Sequence, residues 1–163
     1  MPDLRVGLGV DAHALAEGVP LVLGGVPFEH PRGLAGHSDG DVLAHALVDA
    51  LLGAAGLGDI GSLFPSGDER WHGADSLDLL REAYGQVTAA GWALVNADCV
   101  LIGEEPRIAA HRDEMRSRLA GALDVEVERV NVRATTTDRL GFTGRGEGLA
   151  AEAVALLERR ETA

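Results

Sequence analysis

The sequence predicts an α+β fold in which a mixed β-sheet packs against helices. Three observations lead there. Apolar residues alternate at Val6-Leu8-Val10, at Val95-Ala97-Cys99-Leu101 and through Val127–Ala134, the period of strands. Apolar stripes at helical spacing lie between them, over 42–52 and 77–87. Clusters of Gly, Pro and Asp separate the two kinds of segment. No internal repeat, linker or low-complexity block interrupts the pattern, so 1–163 is read as one domain, long enough to bury its own core.

Leu4 to Ala14 reads as a strand ending on Asp11 and His13. Leu21-Val22-Leu23 and Val26-Pro27-Phe28 flank Gly24-Gly25, the signature of a hairpin. Glu29 to Ser38, punctuated by Pro31, Gly33 and Gly36, reads as loop. Asp39 or Asp41 can cap the next helix, whose apolar run covers Val42 to Leu52 and stops near Gly53 to Gly58. Ser66 to Ala74 is polar and glycine-rich, a mobile surface loop. Asp75-Ser76 caps a second helix through Ala90, with Leu77, Leu80, Tyr84 and Val87 at helical spacing and Gly91 as its stop. Trp92 to Ile102 is a strand, Pro106 starts a third helix through Leu123, and Val127 to Ala134 is a further strand. Thr135-Thr136-Thr137-Asp138 is a polar turn and Gly141 to Gly148 a glycine-rich loop. Leu149 to Arg160 has the Ala, Leu and Glu content of a helix.

Composition excludes several classes of function. Hydrophobic content of 46% with 25% charged residues is that of a globular protein. No run approaches the roughly 18 apolar residues of a membrane span, and Met1 to Arg5 has neither a signal nor a transit pattern. The lone Cys99 rules out an internal disulfide and suits a reducing compartment, so cytoplasm is expected. A net charge of −12 argues against nucleic-acid binding. All 14 basic residues are Arg, so any side-chain cation that meets a phosphate is a guanidinium.

The stretch Gly36-His37-Ser38-Asp39-Gly40-Asp41 runs into a helix with His45 in its first turn. Asp11 and His13, two apart on a strand, leave it on one face. Two strand donors and a helix His would fill three positions of a tetrahedral zinc site with the fourth open. Hydrogen-bonded residues near a strand end are the plainer alternative on residue types alone. Asp59, in Gly58-Asp59-Ile60-Gly61, is either a turn residue or a carboxylate for a substrate hydroxyl. Thr135 to Asp138 is either a phosphate cradle or a Thr-rich strand end. Residues 141–148 form neither a Walker loop nor a dinucleotide fingerprint, and Arg145 and Glu147 could simply pair. His30, His72 and His111 lack such company and read as surface or hydrogen-bonded histidines. No Gly-x-Ser-x-Gly elbow offers a serine nucleophile.

Four blocks taken together resemble the 2-C-methyl-D-erythritol 2,4-cyclodiphosphate synthase family. They are Asp11-Ala12-His13, Ala35 to Asp41, Gly58 to Pro65, and Ala134 to Gly148, and the likeness runs from Val6 to about Leu157. The resemblance implies a homotrimer with active sites between subunits, and a strand at 149–160. It implies Zn2+ or a similar divalent ion on Asp11, His13 and His45, with Asp11 and His13 also beside the substrate. His37, Ser38, Asp59 and Gly61 would contact the methylerythritol phosphate, with Asp68 a further substrate contact. Pro106, Arg107, Ile108, Ala134, Thr135 and Thr136 would hold the cytidine diphosphate end, with Thr137 a further substrate contact. Asp138 would carry a second ion, Mg2+ or Mn2+, and His37, Thr136 and Asp138 would be the catalytic residues. Phe142, Arg145 and Glu147 match positions near the threefold axis, where the family has a cavity for isoprenoid diphosphates.

Three departures stand out: the family carboxylate at Asp138 is commonly Glu, Arg107 is often Lys, and Leu8 and Val10 replace His and Phe of some members. The implied reaction is metal-dependent attack of a substrate 2-phosphate on its own β-phosphorus, expelling CMP. Two rivals remain: a zinc phosphodiesterase using water, and a non-catalytic trimer sensing isoprenoid diphosphates through Arg145.

Overall fold

The computed structural model describes residues 1–160; Glu161, Thr162 and Ala163, the end of the expected single domain, lie outside the described residues. In chain order the first half forms β1 (Leu4–Glu17), β2 (Leu21–Leu23), β3 (Val26–Phe28), β4 (Arg32–Leu34), α1 (Val42–Ala55) and the short α2 (Ile60–Leu63). The second half forms α3 (Ser76–Ala89), β5 (Trp92–Ile102), α4 (Arg112–Leu123), β6 (Val130–Thr135), the single-turn α5 (Gly141–Gly144) and β7 (Gly148–Arg159).

The main sheet has the order β4-β1-β7-β5-β6, and β2-β3 is a separate hairpin. Only β5 and β6 run parallel; β7 pairs antiparallel with β1 on one side and β5 on the other. The sheet is therefore mixed, as expected. Its inner face is covered by α1, which also packs on α3, and α3 packs on α4. Leu43, Leu47, Leu51 and Leu52 of α1 are fully buried with Leu80, Met115, Leu119 and Leu157. A helix apolar on nearly every side belongs inside a core.

Close approach of α1 to β1 dictates two glycines. A Cβ on Gly7 would lie 2.0 Å from the Ala50 carbonyl oxygen, and one on Gly9 1.8 Å from that of Ala46. No side chain fits there. On the opposite face of β1, Val6, Leu8 and Val10 remain 70%, 63% and 55% exposed.

Asp41 ties the hairpin to α1. Its carboxylate caps the helix by accepting from the Ala44 N–H, and it also accepts from the Gly24 and Gly25 N–H groups at 2.9 and 2.7 Å. The side chain is completely buried, and burial pushes its pKa up to about 6 against the lowering effect of those donors.

Several expectations are corrected. The stretch read as loop from Glu29 to Ser38 contains β4, because Arg32 to Leu34 pairs with β1, which itself extends to Glu17. The third helix starts at Arg112, not Pro106; Ile108 is buried before it, and a 3-10 turn over Ala109–His111 leads in. Val127–Arg129 is also a 3-10 turn, so the strand begins at Val130. The glycine-rich loop contains α5 and ends where β7 starts at Gly148. Residues 149–159 are strand despite their helical propensity. Pairing on both edges and burial of Leu149, Ala151, Ala153, Ala155 and Leu157 outweigh a preference of a few tenths of a kcal/mol per residue.

Candidate metal and substrate site

β1 and α1 bring Asp11, His13 and His45 together, and they are a group that could hold a metal ion, with donor atoms all within 4.8 Å of one another. His13 Nε2 lies 2.8 Å and His45 Nδ1 3.1 Å from Asp11 Oδ2, and the two ring nitrogens are 3.2 Å apart. Burial is the largest influence on Asp11 and raises its pKa, but hydrogen bonds from both histidines and their charge outweigh it and leave about 2. His13 is raised, first by its hydrogen bond to Asp11. A carboxylate held ionised between two imidazoles is the donor chemistry a divalent ion takes.

The outward nitrogens support the same reading. His13 Nδ1–H donates to the Ala35 carbonyl at 2.8 Å, so Nε2 is the nitrogen turned to the triad. His45 Nε2 is 2.8 Å from Ser76 Oγ and 3.0 Å from Ser38 Oγ, so its Nδ1 faces the triad. Such outer contacts orient metal-binding imidazoles. The donor set fits a divalent ion.

A cavity of about 200 Å3 opens beside the triad, lined by Asp11, His13, His37, Ser38, His45 and Gly61 together with Phe64 and Trp71. Its floor is positioned by α2, whose first N–H, from Ile60, donates to Asp49 Oδ1 of α1 at 2.7 Å. His37 Nε2 is buried without a hydrogen-bond partner among the described residues, and its ring stands edge-on to His72 at 5.1 Å between centroids. The loop 66–74 is tied in by Gly73 N–H to the His37 carbonyl and contains a 3-10 turn over Glu69–Trp71.

Asp59 acts as the N-cap of α2: its carboxylate accepts from the Ser62 N–H and hydroxyl, which hold its pKa below the usual carboxylate range. Asp68 makes a two-pronged bond to Arg70, which lowers its pKa likewise. Neither Asp59 nor Asp68 lines the triad cavity, whereas Gly61 does.

A second groove, about 420 Å3, is lined by Pro106, Arg107, Ile108, Ala134, Thr135 and Thr136. Thr137 instead braces α5, donating to the Leu140 carbonyl at 2.7 Å and meeting Thr143 Oγ1 at 2.9 Å. Asp138 and Arg139 both have positive φ, 51° and 65°, and the Arg139 N–H donates to Glu104 Oε1. Thr136 Oγ1 is 3.4 Å from Asp138 Oδ1. A further cavity, about 650 Å3, adjoins this groove through Arg107 and is also lined by Arg32, Arg139 and Arg145. Arg145 is paired with Glu147 at 2.8 Å, and Phe142 is 43% exposed.

Two residues here escaped sequence reasoning. Ser76 and Asp39 both read as helix caps, yet Asp75 and Asp41 do the capping. Ser76 is fully buried against His45, and Asp39 accepts from it. A capping pair with a spare serine beside it was the only available signal.

The chain matches the YgbB family model over residues 4–158. It is 63% identical over 162 residues to the 2-C-methyl-D-erythritol 2,4-cyclodiphosphate synthase of Rubrobacter xylanophilus, covering 98% of each chain. The corresponding enzyme of Moorella thermoacetica is 59% identical, with 97% of each covered. A solved structure of this synthase in a CDP-bound form is 42% identical with a TM-score of 0.86, over 94% of this chain and 99% of that one. The bifunctional IspDF of Campylobacter jejuni superposes with a TM-score of 0.95 at 43% identity; 99% of this chain matches 44% of that longer one.

Proposed function

The chain belongs to the YgbB family, and on that premise we propose that it is a 2-C-methyl-D-erythritol 2,4-cyclodiphosphate synthase of isoprenoid biosynthesis. The observation that carries the proposal is the Asp11/His13/His45 triad opening into a cavity beside His37 and Ser38. The substrate is 4-diphosphocytidyl-2-C-methyl-D-erythritol 2-phosphate. Its 2-phosphate attacks the β-phosphorus, CMP leaves, and an eight-membered cyclic diphosphate closes. A phosphate oxygen is already anionic at neutral pH, so the chain needs no base to activate it.

The protein's task is then positioning and charge. Bound at the triad, Zn2+ or a similar ion supplies Lewis-acid polarisation to phosphate oxygen. His37, whose Nε2 has no partner among the described residues, and the Ser38 hydroxyl hold the methylerythritol phosphate with Gly61 beside them, and Asp59 and Asp68, outside the cavity lining, are further contacts in this reading. Pro106, Arg107, Ile108 and Ala134 to Thr136 hold the cytidine diphosphate end, with Thr137 a further substrate contact in this reading. Asp138, with Thr136 beside it, supplies a ligand for Mg2+ or Mn2+ on the diphosphate. Holding both ends of one molecule yields the advantage of an intramolecular reaction, on the order of several kcal/mol.

The working form in this reading is a homotrimer in the cytoplasm, with 1–163 as one domain in each subunit. The metal cavity and the Thr135 groove share no lining residue within one chain, which supports a site completed by a neighbour. The exposed Val6, Leu8, Val10 and Val154 supply an apolar face for that neighbour. Arg145 and Phe142 would reach an isoprenoid diphosphate on the axis. No helix among the described residues is long and apolar enough to cross a membrane.

Phosphorus NMR with substrate, zinc and magnesium tests the reaction. Two coupled resonances of a cyclic diphosphate, appearing with CMP, are expected. A linear phosphate would replace the cyclase by a hydrolase, and binding without turnover would leave the sensor.

A further inference from the structure

His45 needs only one nitrogen for a metal. The other is buried with it, since the residue is 7% exposed and sits in the middle of packed elements. A buried polar nitrogen must be satisfied, and what satisfies it is a chain of three groups from three segments. His45 Nε2 meets Ser76 Oγ at 2.8 Å. Ser76 is itself 0% exposed, and both its hydroxyl and its N–H donate to the Asp39 carboxylate, the N–H at 3.0 Å to Oδ2. Asp39 also accepts the Asp41 N–H at 3.0 Å, and its own N–H donates to the Ala74 carbonyl at 3.1 Å.

The direction of the protons follows from chemistry. An ionised carboxylate only accepts, so the Ser76 O–H points at Asp39. The remaining lone pairs of Ser76 Oγ then face His45 and can only accept. His45 Nε2 therefore donates to Ser76 Oγ, and Nδ1 is the nitrogen left to face an ion at the triad. We infer that Ser76 and Asp39 are positioning residues for the metal centre, a carboxylate–serine–histidine chain that fixes the tautomer and aim of His45. Ser38 lies 3.0 Å from the same nitrogen and 3.4 Å from Ser76 Oγ. With Ser76 taking the His45 proton, the Ser38 hydroxyl keeps its hydrogen for a ligand in the cavity that it lines.

The chain also has a consequence for architecture. Ser76 is the first residue of α3, and its neighbour Asp75 caps that helix by accepting the Leu77 N–H. The Ser76 side chain is thus free of capping duty. The start of α3 and the loop before α1 are joined through the same contact that aims His45.

The inference rests on the triad as a metal site, and the test separates the two. Zinc affinity is measured by competition with a chelator for the wild type, Ser76→Ala, Asp39→Asn and the double variant. Each single change is expected to weaken zinc about 10- to 100-fold. The double variant should be little weaker than the worse single one, because the residues act in series. In zinc-loaded wild type, the His45 Nε2–H proton should resonate downfield and exchange slowly, and Ser76→Ala should abolish both features. A wild type that binds no zinc sinks the metal reading itself. Wild-type zinc binding with variants within twofold, fully additive losses, or a freely exchanging Nε2–H in the wild type overturns the chain alone. The last arm needs no variant to fold.

Discussion

Gly9→Ala couples the fold to the site most directly. The added methyl would sit 1.8 Å from the Ala46 carbonyl oxygen and 2.7 Å from the Ala50 N, both helix backbone. Real Cβ contacts are not closer than 3.0 Å, so β1 and α1 must part by about 1.2 Å, the difference from 1.8 Å. Overpacking of this kind costs about 1–3 kcal/mol, or more where only backbone can yield. In a domain of this size that is on the order of 2–12 °C in Tm. The same displacement separates Asp11 and His13 on β1 from His45 on α1, while metal–ligand distances tolerate roughly 0.2 Å. Zinc affinity should fall by more than about tenfold, by ~1.4 kcal/mol or more. Thermal unfolding of zinc-free protein and chelator competition measure the two effects separately. A variant that melts with the wild type and holds zinc as tightly would refute the reasoning that the glycine sets the strand–helix spacing.

His45→Ala should lose zinc and turnover together; near-normal activity without bound zinc would remove the triad from the mechanism. Asp138→Ala should turn over slowly with zinc retained, and an unchanged magnesium dependence would argue against its role. For Asp41, the folded pKa of about 6 lies above the ordinary carboxylate value of 3.8. A raised carboxylate favours the folded state below its unfolded pKa, and that contribution is lost as pH rises through the folded value. Asp41→Asn should remove this decline between about pH 4 and 6, and it should lower stability at pH 7 by about 1–3 kcal/mol, because the amide presents a donor to the Gly24, Gly25 or Ala44 N–H. Denaturant titrations of both proteins across that range decide it; a parallel slope would mean the carboxylate does not titrate there.

The class of fold was legible because alternation and helical stripes are local. So was the triad, since two of its members share a strand face and the third follows a capped helix start. The last strand was not legible from propensity: Ala151, Ala153 and Ala155 are small because both sheet neighbours and α1 press on them, and small residues also favour helices. Residues 106–111 were misread because a helix signal at Pro106 cannot show that Ile108 is anchored in the core before the helix begins. Asp59 shows the opposite limit. A carboxylate beside two glycines suited either a turn or a substrate contact, and its capping bond with Ser62, three residues on, was not legible beforehand. The role of Ser76 depends on a residue 31 positions away, which no local pattern encodes.

The pairing of β1 with β7 has a bearing on how the protein assembles. Asp11 is opposite Ala151 and His13 opposite Leu149, so the strand that carries two triad donors takes its register from a segment some 140 residues later. Contacts that distant in sequence form late, because the loop they close must be ordered first. Until β7 arrives, β1 has one short neighbour, β4, and no register along the stretch that holds Asp11 and His13. An ion held at the triad would depend on that register, and it would tie β1 to α1, which carries the third donor, His45.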